Sequence, residues 1–191
     1  MRIIAGAARG ARLKTPKGLL TRPTSDRVKE SLFSILGARV VGRRVLDLFA
    51  GTGSLGLESL SRGAASAVLV DRVTADVIKD NAEHTHLAAL ARVIRSDVFG
   101  AIARLSSEGE TFDLVFCDPP YHKGLWERAL TVLDTSPLLS ENALVVVECG
   151  EDERTLPSLM HLSQVREERY GHTTRIRFFE KTQSGQEEVT R

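Results

Sequence analysis

Between residues 44 and 149 short apolar runs alternate with stretches of helical spacing. The runs 45–49, 67–70, 92–95, 112–117 and 143–148 are rich in Val, Ile, Leu and Phe and read as strands. Leu125, Ala129, Val132 and Leu133 recur at helical spacing, as do Val28, Leu32, Ile35 and Leu36 upstream. The upstream helix has a start signal in Pro23-Thr24-Ser25-Asp26 and a stop in Gly37. Such alternation predicts an α/β domain, a parallel sheet with helices on both faces. After Gly150 the pattern changes. Residues 162–170 and 173–180 read as two strands around Gly171-His172, an antiparallel hairpin closing the sheet. Residues 182–191 are polar, and the chain has no internal repeat.

Length and composition narrow the class. The chain of 191 residues, 42% apolar and 27% charged, suits a single domain with a sizeable core and excludes wholesale disorder or a coiled coil. No apolar run reaches the ~20 residues of a membrane helix. The opening Met1-Arg2-Ile3-Ile4-Ala5-Gly6 lacks an apolar leader, so a cytoplasmic protein is expected. Cys117 and Cys149 sit in strand-like runs and read as small core residues.

Charge is unevenly spread. Residues 1–30 hold eight Lys and Arg against Asp26 and Glu30, whereas residues 31–150 hold 11 basic and 15 acidic residues. A basic segment joined to a mildly acidic body suggests an arm that meets a polyanion. Small residues interleaved with arginine in Gly6-Ala7-Ala8-Arg9-Gly10-Ala11-Arg12 point to RNA, because they let a backbone approach phosphates closely.

The run 45–49 enters Ala50-Gly51-Thr52-Gly53-Ser54-Leu55-Gly56. Gly51, Gly53 and Gly56 fit G-x-G-x-x-G, in which the glycines serve in turn a tight bend, close backbone approach to a ligand, and helix–strand packing. Asp71, 20 residues past Gly51, is placed to accept from ribose hydroxyls. The loop alone fits a dinucleotide or an adenosyl ligand. Asp47 favours S-adenosylmethionine, since a methionine ammonium needs a carboxylate and an anionic pyrophosphate does not. Asp97 can accept from an adenine amine, although an acid there is also a common helix cap.

Asp118-Pro119-Pro120-Tyr121 follows the run 112–117, at the carboxyl edge where open parallel sheets bind ligands. An exocyclic purine amine is a poor nucleophile because its lone pair is delocalised. A carboxylate and a fixed carbonyl can accept its two hydrogens and stabilise the charge that develops during methyl attack. Successive prolines keep the carbonyl in place, and Tyr121 offers a face for the target base. No Pro-Cys dipeptide supplies a nucleophile for cytosine C5, and no His-Glu-x-x-His suggests a metal.

Three segments together resemble the RsmD family: residues 22–33 (Arg-Pro-Thr-Ser-Asp-Arg-Val-Lys-Glu-Ser-Leu-Phe), residues 47–58, and the Asp118–Tyr121 turn. The resemblance runs from Arg2 to about Glu180 and includes Tyr170-Gly171 and Thr174. It implies a Rossmann-like S-adenosylmethionine-dependent fold with a mostly parallel seven-stranded sheet, a reversed last hairpin and a small N-terminal extension. The implied reaction is methyl transfer to the N2 amine of a guanine in 16S ribosomal RNA; adenine-N6 methylation of DNA or RNA is the alternative the Pro-Pro turn leaves open. Three segments are expected: a basic RNA-contacting extension at 1–24, a methyltransferase domain at 25–181 and a tail at 182–191. Catalysis is expected of Asp118, Pro119, Pro120 and Tyr121. Cofactor binding is expected of Asp47, Gly51, Thr52, Gly53, Asp71, Arg72, Asp97 and Val98, with no metal. RNA contact is expected of Arg2, Arg9, Arg12, Lys14, Arg22 and Arg27, by a monomer working on a small-subunit ribonucleoprotein particle away from membranes.

Overall fold

Seven strands form one sheet: β1 (Arg44–Leu48), β2 (Ser66–Val70), β3 (Ala91–Ile94), β4 (Phe112–Cys117), β5 (Leu139–Gly150), β6 (Leu162–Tyr170) and β7 (Thr174–Lys181). The computed structural model describes residues 1–16 and 26–182. The spatial order is β3-β2-β1-β4-β5-β7-β6. Strands β1 to β5 pair in parallel, and β7 runs antiparallel to both of its neighbours, β5 and β6. Strand β6 therefore points the same way as β5, and within the expected reversed hairpin only β7 is reversed. The hairpin does not simply extend the sheet. Its second strand slots in beside β5, and its first becomes the outer edge.

Among the described residues five α-helices cover the two faces. Helices α1 (Asp26–Leu36), α2 (Ser54–Ser61) and α3 (Ala75–His84) pack on one, α4 (Val98–Ser107) and α5 (Leu125–Asp134) on the other. Side chains alternate accordingly: Leu46 and Leu48 of β1 enter the α4/α5 core, while Val45 enters the α1/α2/α3 core. Asp47 thus points toward α2, in a slot that an apolar residue would ordinarily fill.

Two helices are rotated by about a residue from the expected stripe. The buried face of α1 is Lys29, Leu32, Phe33 and Leu36, with Val28 and Ile35 only partly covered. That of α5 is Trp126, Ala129, Leu130 and Leu133 rather than one centred on Leu125 and Val132. In α1 the rotation is possible because a buried acid, Glu58, awaits the lysine. In α5 the larger Trp126 takes the interior, its indole donating to Glu153. Strand β5 also begins earlier than residue 143, because polar Ser140 donates to Asp113 and the β4–β5 ladder carries an irregularity there.

Residues 1–14 fold back as a small hairpin, with Ile3 donating to Ala11 and Gly10 to Ile3, both at 2.9 Å. Ile3 and Leu13 are buried in the α1/α2/α3 core, so this segment belongs to the same hydrophobic body. Gly6 lies against the end of α2, where any side chain would collide with the Ser61 carbonyl. The small residue serves this internal contact, which differs from the approach to phosphates expected from sequence.

Candidate active site

Strand register brings the two motifs together. Leu48 and Cys117, the last residues of β1 and β4, are direct partners, so the glycine loop and the Pro-Pro turn leave neighbouring positions. The connections from β1 and β4 depart in opposite directions here, making this the switch point where open α/β sheets form a crevice. Leu48 also faces Val70, which places Asp71 across from the start of the loop.

The loop is tied down from several sides. Phe49 takes a left-handed backbone at φ 60°, a strained conformation for a bulky side chain. Gly51 donates to Asp71 Oδ2 at 3.0 Å, and the Thr52 carbonyl accepts from Asn81 at 2.9 Å. Gly56 donates to Asp47 Oδ2 at 2.8 Å. The three glycines differ in their surroundings. A side chain on Gly53 would meet Ile78, Leu57 and Leu69 in the interior, whereas one on Gly51 would meet only the Phe49 carbonyl, at 4.0 Å. Both polar backbone groups of Gly51 are engaged, its amide by Asp71 and its carbonyl by Thr74. Gly51 and Gly53 both take a left-handed backbone at the bend, with φ 56° and 81°, and Gly56 packs against Leu69 as expected.

Asp47 is 1% exposed, and burial raises its pKa from 3.8 to about 7. Among the described residues none pairs its charge. Asp71 is half-buried; besides Gly51 it accepts from the amides of Val73 and Thr74 at 2.7 and 2.9 Å, leaving lone pairs for a further donor. Asp97 caps α4 through the Gly100 amide at 2.9 Å and is exposed. Arg72 is exposed and Val98 is buried in the α4/α5 core.

In the turn after β4, Asp118 is half-buried, Pro119 buried and Pro120 exposed. Tyr121 is half-buried and its hydroxyl donates to Glu148 Oε1 at 2.6 Å. His122 follows with φ 60°, its amide donating to Glu153 at 3.2 Å. The Cys117 thiol is pushed up by burial, and that of Cys149 likewise, to about 12, as suits buried thiols without a nucleophilic role.

The basic residues of the N-terminal hairpin lie at the surface. Arg2, Arg9, Arg12 and Lys14 are exposed, as is Arg27 on α1. Arg2 pairs with Asp26 at 3.5 Å and Lys14 with Asp80 at 3.0 Å. Arg22 lies outside the described residues.

Several residues that join the site to its surroundings were not singled out from sequence. Asn81 donates to both the Thr52 and Lys14 carbonyls and accepts from the Lys14 amide, linking the cofactor-type loop to the basic hairpin. Glu153 accepts from His122, Trp126 and Gly150, fastening the segment after the Pro-Pro turn. Glu148 holds Tyr121.

Residues 1–180 match a family model described as conserved hypothetical protein 95. The chain is 37% identical over 192 aligned positions to the ribosomal RNA small subunit methyltransferase D of Escherichia coli K12, covering 99% of this chain and 94% of that one. It superposes on the solved structure of yhhF from Escherichia coli with a TM-score of 0.81, at 39% identity, covering 95% of this chain and 97% of the other. A hypothetical protein of Thermus thermophilus gives 0.78 at 31% identity, covering 93% and 98%. With the Asp118–Tyr121 turn beside the glycine loop and likeness over nearly its whole length, this chain belongs to the RsmD family.

Proposed function

We propose that the protein transfers a methyl group from S-adenosylmethionine to the exocyclic N2 amine of a guanine in 16S ribosomal RNA. The observation that carries this reading is the direct pairing of Leu48 with Cys117, which sets an adenosyl-type loop beside an amine-accepting turn. The site suits this cofactor. The missing side chain of Gly51 leaves space beside its α-carbon, and Asp47 is a buried carboxylate whose field favours a nearby ammonium. When bound, S-adenosylmethionine would supply an electrophilic methyl on a sulfonium, whose carbon–sulfur bond would break on transfer to leave S-adenosylhomocysteine.

Asp71 would hold the ribose hydroxyls, Asp97 the adenine amine, and the Gly51–Gly53 backbone the methionine end, with Arg72 and Val98 flanking the nucleoside. Asp118 would accept one hydrogen of the guanine amine and the Pro119 carbonyl the other, directing the nitrogen lone pair at the methyl carbon. The carboxylate stabilises the positive charge that grows on nitrogen, and the surplus proton then leaves to water. The exposed hairpin cations and Arg27 would meet phosphates, with Arg22 extending that surface. We infer a cytoplasmic monomer working on a small-subunit particle. Among the described residues no helix is long and apolar enough to cross a membrane.

The test is incubation of the purified protein with labelled S-adenosylmethionine and undermodified small subunits, followed by nucleoside analysis. Label in N2-methylguanosine is expected. Label in N6-methyladenosine instead would overturn the guanine assignment.

A further inference from the structure

The turn that would receive the target base ends in a side chain with little backbone support. Tyr121 follows two prolines, lies outside any helix or strand, and precedes His122 with its left-handed backbone. Its ring makes an edge contact with His122, at 6.2 Å between centroids. What fixes the far end of the ring comes from the C-terminal half of the sheet. Cys117 pairs with Val147, so Glu148, still within β5, lies alongside Asp118 where the chain leaves β4. Gly150 pairs with Thr174, which brings the first residue of β7 to the same edge.

The hydroxyl chemistry is determined by proton count. Tyr121 has one phenolic hydrogen, and it goes to Glu148 Oε1 at 2.6 Å, a short charge-assisted bond. The Thr174 hydroxyl, 3.1 Å from the phenol oxygen, then acts as donor to it. Donor and acceptor capacity of the phenol are both engaged. Burial and the Glu148 charge push its pKa upward, so it stays protonated and is no general base. The part of Tyr121 left to the substrate is its face.

We propose that Glu148 is a positioning residue: its carboxylate, assisted by Thr174, holds the Tyr121 ring at the angle on which the target guanine stacks. The inference rests on the function proposed above and adds to it a group outside the Asp118–Tyr121 turn. Glu148 acts through Tyr121, so its effect requires the phenol hydroxyl.

A double-mutant cycle on the full-length protein tests this. Tyr121→Phe, Glu148→Ala, Glu148→Gln and the Tyr121→Phe/Glu148→Ala pair are compared in single-turnover methylation of small subunits, with S-adenosylhomocysteine affinity measured by calorimetry. Glu148→Ala is expected to slow transfer and raise the apparent KM for subunits, by about tenfold to a hundredfold in total, the range of a weakened base–aromatic stack. Glu148→Gln keeps an oxygen acceptor and should recover to within about threefold of the parent, a rescue that mere structural support would not single out. The pair should be no slower than Tyr121→Phe alone, and cofactor affinity should not move. If Glu148→Ala costs as much in the Phe background as in the parent, or costs nothing in the parent, the proposal is overturned. The labelled product is identified in the same assay. Label absent from guanine N2 counts against the function itself, whereas additivity with label on N2 counts against Glu148 alone. Should Glu148→Ala not fold, Glu148→Leu, which removes the acceptor and keeps the bulk, replaces it in the same cycle.

Discussion

Lys29 Nζ lies 3.5 Å from Glu58 Oε2 with neither side chain exposed at all. The lysine also donates to Ser54 and to the Arg2 carbonyl, and Glu58 accepts from the amides of Ile4 and Ala5 and from Arg62. A buried carboxylate with two cationic partners, Lys29 and Arg62, thus joins α1, α2 and the N-terminal hairpin. Desolvation pulls the lysine pKa down, against the pull of Glu58. Glu58→Ala leaves an uncompensated ammonium and two orphaned amides. It should lower unfolding stability by about 3–5 kcal/mol in urea titration. A loss below about 1 kcal/mol would mean that the hairpin is held by its apolar residues alone.

Asp47 gives the ligand-free protein a pH signature. Its pKa rises from 3.8 to about 7 on folding, so the folded chain holds that proton more tightly than the unfolded one. The corresponding stability is full below the unfolded value and is lost as pH rises through the folded one. Between about pH 4 and pH 7 unfolding free energy should fall, with a slope of at most about 1.4 kcal/mol per pH unit. Asp47→Asn retains an oxygen for the Gly56 amide and should flatten that slope. An unchanged slope would assign the effect to another group.

Asp118→Ala tests the chemistry. The carboxylate matters most when nitrogen becomes cationic, so the loss should appear in the single-turnover rate, by about two to three orders of magnitude. Asp118→Asn should be milder, because an amide oxygen can still accept from the amine. Rates near the parent for Asp118→Ala, with label still on guanine N2, would mean that the amine is held elsewhere.

What could be read in the sequence were features that repeat or cluster locally. Strand β4 was legible to the residue, because Phe112–Cys117 is a short apolar run between turn signals. The glycine loop and the Pro-Pro turn were legible because each compresses its chemistry into a few consecutive residues. Lys29 and Asn81 were not. Each is a polar residue on a helical face whose partner lies far along the chain: Glu58 for Lys29, and Thr52 and Lys14 for Asn81. A lysine at i with Leu32, Phe33 and Leu36 at i+3, i+4 and i+7 was the available clue, since such a position demands a buried acid. Glu148 was hidden differently. Only the β4–β5 register sets it beside the turn it supports.

Neutralising Arg2, Arg9, Arg12 and Lys14 together tests the RNA surface. The salt dependence of RNA binding should flatten by about 0.7–0.9 in log–log slope for each phosphate no longer neutralised. Of the acidic partners Asp80 is exposed and Asp26 half-buried, and the cations themselves are exposed, so these pairs open at little cost. Affinity for S-adenosylhomocysteine should hold, since Asn81 reaches the loop through the Lys14 backbone rather than its side chain. An unaltered salt slope would return these residues to the role of a solvated face.

The insertion of β7 between β5 and β6 has a consequence for biosynthesis. A chain emerging N-terminus first has made both motifs of the crevice long before it makes Thr174–Lys181. Until then one edge of β5 lies unpaired and Tyr121 lacks its Thr174 neighbour. A nascent enzyme whose target is ribosomal RNA begins life touching a ribosome. Until β7 is made, Tyr121 can be held by Glu148 alone, and the Thr174 contact forms only when that strand pairs with β5.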